Sequence, residues 1–94
     1  MKQFDWDPKK NKQLIEERGI SFESVIFHLQ SGGLLDDIKV HSSQKKHSHQ
    51  RIFIVAIEDY AYIVPYVESD NEILLQTITP SRKATKQFLR ENNE

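Results

Sequence analysis

The chain has 94 residues, 37% of them apolar, with 13 Lys+Arg against 14 Asp+Glu and a formal net charge of -1. That length fits a single domain over 1–94, and the charge balance excludes a globally basic nucleic-acid coat, so any electrostatic function must come from local patches. The absence of cysteine excludes disulfides and thiolate metal sites, and no apolar run approaches the roughly 18 residues of a membrane helix.

The first element is a short strand, predicted because Phe4 and Trp6 alternate with acids. Asp7-Pro8 then reads as a helix start. Asp caps free N–H groups, and Pro is tolerated where its own N–H would be unpaired. This helix runs to about Arg18, and Gly19 stops it by taking the left-handed cap conformation. A second helix starts at once, with Ser21 as N-cap. Phe22, Val25, Ile26 and Leu29 recur at helical spacing and mark its core face. Ile20 and Val25 are spaced as a hydrophobic staple across the cap. Gly32-Gly33 ends it.

Leu34–Val40 is a candidate strand, and 41–50 is a polar loop without an apolar residue. Arg51–Ile57 and Tyr60–Val67 read as a hairpin about Glu58-Asp59, although this pair lacks the Gly that primed turns favour. Pro65 predicts an edge, a bulge or a strand end, because it cannot donate to a ladder. Ser69-Asp70-Asn71 is a turn, and Ile73–Thr79 a further strand. Thr79-Pro80 is expected to open the last helix, with Ala84, Phe88 and Leu89 on its apolar face. Arg82, Lys86 and Arg90 line another face, with Lys83 adjacent. The expected fold is α+β: a mainly antiparallel sheet of about four to five strands, two N-terminal helices and one C-terminal helix.

Charge is uneven along the chain. Segment 41–51 carries Lys45, Lys46 and Arg51 with three histidines and no acid. Segment 52–73 carries five acids and no base, and 74–94 is again basic, net +2. RNA contact remains open if the two basic segments meet in space.

Three stretches resemble the BrnT family of toxins from bacterial type II toxin–antitoxin systems. They are Phe4-Asp5-Trp6-Asp7-Pro8-Lys9-Lys10-Asn11-Lys12, Arg18-Gly19-Ile20-Ser21-Phe22-Glu23, and Ile78-Thr79-Pro80-Ser81-Arg82-Lys83-Ala84-Thr85. The resemblance spans nearly the whole chain. It implies a RelE-like ribonuclease fold and a cytoplasmic toxin that cuts mRNA and is neutralised by a small DNA-binding antitoxin. The assembly would be a homodimer or a hetero-oligomer with that antitoxin. A non-enzymatic module that keeps the fold and binds a partner protein or RNA is the alternative.

Metal-free RNA cleavage needs a base for the 2′-OH, an acid for the leaving oxygen and cations for the phosphorane charge. Arg82 matches the family's arginine at the strand-to-helix junction; it and Lys83 are candidates for phosphate, against a solvated helix face. Arg51 is the next candidate, and His49 the candidate acid or base. Lys45, Lys46, Lys86 and Arg90 are candidate RNA contacts. Tyr60, Tyr62 and Tyr66 share one strand face, and Tyr62 either stacks a base or packs on a helix. Trp6 is either core or an anchor for the antitoxin. His41, His47 and His49 match no zinc spacing, so neither a metal nor another cofactor is expected.

Overall fold

The computed structural model describes residues 2–39 and 50–90, the side chain of Arg90 excepted. Its elements are β1 (Gln3–Asp5), α1 (Pro8–Arg18), α2 (Phe22–Gln30), β2 (Leu34–Lys39), β3 (Gln50–Ile57), β4 (Tyr60–Glu68), β5 (Glu72–Leu75), β6 (Thr79–Pro80) and α3 (Arg82–Thr85). A wider π-helical turn, Lys86–Arg90, continues α3. The fold is α+β. The sheet runs β1-β5-β4-β3-β2, with β6 added to β4. All its pairings are antiparallel except β1 with β5, which is parallel.

The helix ends follow their local chemistry. Asp7 accepts from the Lys9 N–H, and Gly19 sits at φ 67° with its N–H on the Ile15 carbonyl. The Ser21 hydroxyl accepts from the Ser24 N–H. Both staple residues, Ile20 and Val25, are buried. Between the helices, the Asn11 amide does two jobs. Its Oδ1 accepts from the buried Phe22 N–H at 2.8 Å, and its Nδ2 donates to Glu23 Oε1 at 2.9 Å. That second bond is the main reason the Glu23 carboxyl lies below its ordinary range. Removing the amide would strand a buried donor, at a cost of about 1–3 kcal/mol.

Alternation along β3 and β4 divides the core. Phe53, Val55, Ile57, Val64 and Tyr66 face α1 and α2, where they meet Leu14, Phe22 and Val25. Ile54 and Ala61 face the other way and meet Ala84, with Phe88 and Leu89 packed alongside. Each large side chain fully buried in the main core contributes about 1.5–3 kcal/mol. The expected apolar face of the C-terminal helix is therefore seen, on the opposite side of the sheet from the two N-terminal helices.

Four expectations are corrected. Ile73–Thr79 is not one strand: pairing with β4 stops at Leu75 and resumes at Thr79. Thr79-Pro80 does not open the last helix. It pairs with Tyr62 and Ile63, and Ser81 caps the helix through the Ala84 N–H. Pro65 lies inside a central strand, not at an edge, bulge or strand end. Its carbonyl accepts from the Gln76 N–H, so its ring nitrogen faces the same side. On that side β5 has ended at Leu75 and β6 has not begun, so the missing N–H falls at the end of one pairing and not within it. Finally, Gln50 belongs to β3 and not to the preceding loop. The hairpin turn is of the primed kind without glycine, since Glu58 and Asp59 both take positive φ, 52° and 70°. The predicted loop 41–49, and Val40 at the end of the predicted strand, lie outside the described residues. Among the described residues no helix is long and apolar enough to cross a membrane.

Candidate phosphate-binding cleft

The sheet register assembles a polar group that no single segment contains. Arg51 faces Tyr66 across β3 and β4, while Lys39 faces Arg51 across β2 and β3. Directly opposed residues share a face, so these side chains stand on the α1/α2 side of the sheet. Asp37, opposite Phe53, joins them. The Tyr66 O–H donates to Asp37 Oδ1 at 2.7 Å. Arg51 Nε donates to the Tyr66 oxygen at 2.9 Å and to Asp37 Oδ1 at 3.1 Å. Tyr66 is 2% exposed and its ring stacks on Phe53, centroids 3.9 Å apart. A buried ring thus fixes the orientation of a guanidinium that is about one-third exposed.

Beside this group lies an open cleft of about 630 Å³ lined by Lys2, Lys39, Arg51, Val67, Glu68, Ser69 and Asp70. Lys2 reaches it from the residue before β1, and its Nζ is 2.5 Å from Glu68 Oε2. The bond to Asp37, then that to Tyr66, raises the Arg51 pKa further, so the guanidinium stays charged. Such a fork, held on one edge, suits phosphate oxygens.

Burial first, and the bond to Asp37 second, push the Tyr66 phenol above its ordinary value. The folded chain keeps a proton that an unfolded tyrosine releases near pH 10. Stabilisation from this group is therefore complete below about pH 10 and is lost as pH rises past it. Urea midpoints measured from pH 8 to 11 are expected to fall above pH 10, and to fall less in Tyr66→Phe. An identical alkaline fall in the variant would exclude this linkage.

Among the described residues the sequence candidates do not converge. Arg51 lines the cleft. Arg82 and Lys83 stand on α3, across the sheet, and Lys83 lines a separate small groove with Asp36, Ile38, Ile54 and Phe88. At that helix start the Ser81 hydroxyl already accepts from the Ala84 N–H. Lys86 is exposed on that same C-terminal segment. Tyr62 is half-buried against the main core, with its ring edge-on to Tyr60 at 5.8 Å. Trp6 stacks on Phe22 at 6.0 Å. His49, Lys45 and Lys46, with His41 and His47, lie outside the described residues, as does the Arg90 side chain. Among the described residues no group of three His, Asp or Glu is placed to hold a metal. Lys2, Asp37 and Lys39 escape the sequence reading, and Tyr66 enters it only as one of three tyrosines on a strand face. The signal of the three charges is weak in sequence, since each is isolated and legible only once the strands are aligned.

Comparison with known proteins finds no match: no family model, no curated protein and no solved structure aligns with this chain.

Proposed function

We propose that this chain is the toxin subunit of a type II toxin–antitoxin pair and that it cuts RNA without a metal, at the cleft beside Arg51. The observation that carries the reading is the Arg51 guanidinium, oriented by Asp37 and Tyr66 at the wall of a cleft that Lys2 and Lys39 also line. In this reaction the 2′-oxygen attacks phosphorus, its proton passes to a base, and the bond to the 5′-oxygen breaks as that oxygen takes a proton. Arg51 would hold the charge that develops on the phosphorane. His49, two residues before Arg51 in the sequence, is the proposed acid or base.

A second reading, a non-enzymatic module that binds a partner protein, is favoured by apolar side chains on the outer helices. Phe27 is 64% exposed and Ile15 49%. Incubating the purified full chain with single-stranded RNA in EDTA separates the two. Fragments ending in a 2′,3′-cyclic phosphate and a 5′-hydroxyl are expected. RNA left intact at a molar excess of protein would favour the binding module.

A further inference from the structure

Among the described residues, charge is nearly cancelled around the cleft. Lys2, Lys39 and Arg51 line it together with Glu68 and Asp70, and a third carboxylate, Asp37, sits on Arg51. Lys2 is held by Glu68 and Arg51 by Asp37. A site with little net potential offers no extra attraction to a second negative charge on its ligand. The cost of removing an ion from water, however, rises steeply with its charge.

We propose that Glu68 is a specificity-determining residue. Resting on the ribonuclease reading above, it makes the cleft accept the singly charged phosphodiester inside an RNA strand and refuse the doubly charged phosphate at a strand end. A terminal phosphate carries close to two charges at neutral pH, because its second ionisation lies near pH 6. Glu68→Gln leaves Lys2 without its carboxylate and makes the potential positive by one charge. A dianion gains from that change twice as much as a monoanion. At partly solvated separations of several ångströms, the difference amounts to about 3–10-fold in relative affinity.

The test is a competition experiment on the full chain. A fluorescent 2′-O-methyl RNA hexamer, which cannot be cut, is displaced by either of two competitors: a 2′-O-methyl dinucleotide, whose one phosphate is a diester, or the corresponding nucleoside 3′-monophosphate. The wild-type chain is expected to prefer the dinucleotide. Glu68→Gln is expected to shift the ratio about 3–10-fold toward the monophosphate. Adding Lys2→Met restores the charge balance and is expected to return the ratio to the wild-type value, which mere loss of a structural ion pair would not do. An unchanged ratio in Glu68→Gln, with hexamer binding still dependent on Arg51, overturns this inference and leaves the ribonuclease reading standing. Hexamer binding that is absent, or indifferent to Arg51→Ala, overturns both.

Discussion

Arg51→Ala is expected to slow RNA cleavage by about 10²–10³-fold, the usual effect of deleting one preorganised donor to a developing anion. The fold should survive the change. Arg51 is about one-third exposed, and solvent-screened ion pairs of this kind contribute little to stability. Tyr66 and Asp37 still hold each other through their own 2.7 Å bond. Arg51→Lys keeps the charge and loses the fork, so an intermediate rate is expected. Single-turnover rates measured beside thermal midpoints separate chemistry from stability. The control is Arg82→Ala, on the far side of the sheet from Arg51, with an expected change of less than about 3-fold. If Arg82→Ala abolishes cleavage and Arg51→Ala does not, the chemistry belongs to the α3 face and the cleft assignment is wrong.

The largest expected effect on stability comes from Gly33→Ala. Gly33 joins α2 to β2, where its N–H donates to the His28 carbonyl at 2.7 Å and its own carbonyl accepts from the Ala56 N–H at 2.8 Å. A Cβ at this position would lie 2.8 Å from the His28 oxygen and 2.9 Å from the Ala56 oxygen. Both are backbone atoms, so neither can rotate away, and α2 would have to lift from β3. Overpacking of this kind costs about 2–3 kcal/mol, which for a domain of this size lowers the melting temperature by roughly 10–20 °C. The neighbouring glycine supplies the contrast. Gly32 has φ 93°, but a Cβ there would meet nothing within 4 Å, so Gly32→Ala carries only backbone strain of about 1–2 kcal/mol. Calorimetry on the pair should rank Gly33→Ala as the more damaging. The reverse order would mean that backbone conformation governs this junction and close approach does not.

These two sites differ in how far the sequence exposes them. Caps, the left-handed Gly19 and the stripe from Phe22 to Leu29 are local events, decided within four or five residues, and their signals are correspondingly direct. The Gly32-Gly33 pair also announces a helix end, although only the fold shows which glycine meets a backbone. Thr79-Pro80 carries the same letters as a helix start. Its actual state is decided by the free edge of β4 some 17 residues earlier, which offers pairing at Tyr62 and Ile63. Pro65 misleads for a related reason: its effect depends on whether a neighbouring strand reaches it. The cleft is the extreme case. Its guanidinium, phenol and carboxylate come from three strands, and a one-residue slip in either pairing would put one of them on the other face. The charge sums single out the segment that holds Arg51, but they group it with the C-terminal bases, which the sheet keeps apart from it.

The parallel pairing of β1 with β5 has a consequence for the order in which the molecule is made. Gln3 pairs with Glu72, about 70 residues later in the chain. Lys2 is carried to Glu68 by that pairing. During synthesis β1 must therefore wait, unpaired, until β5 has left the ribosome. The wall of the cleft that Lys2 supplies cannot form before β5 does, so a growing chain that has not yet released β5 has no finished site.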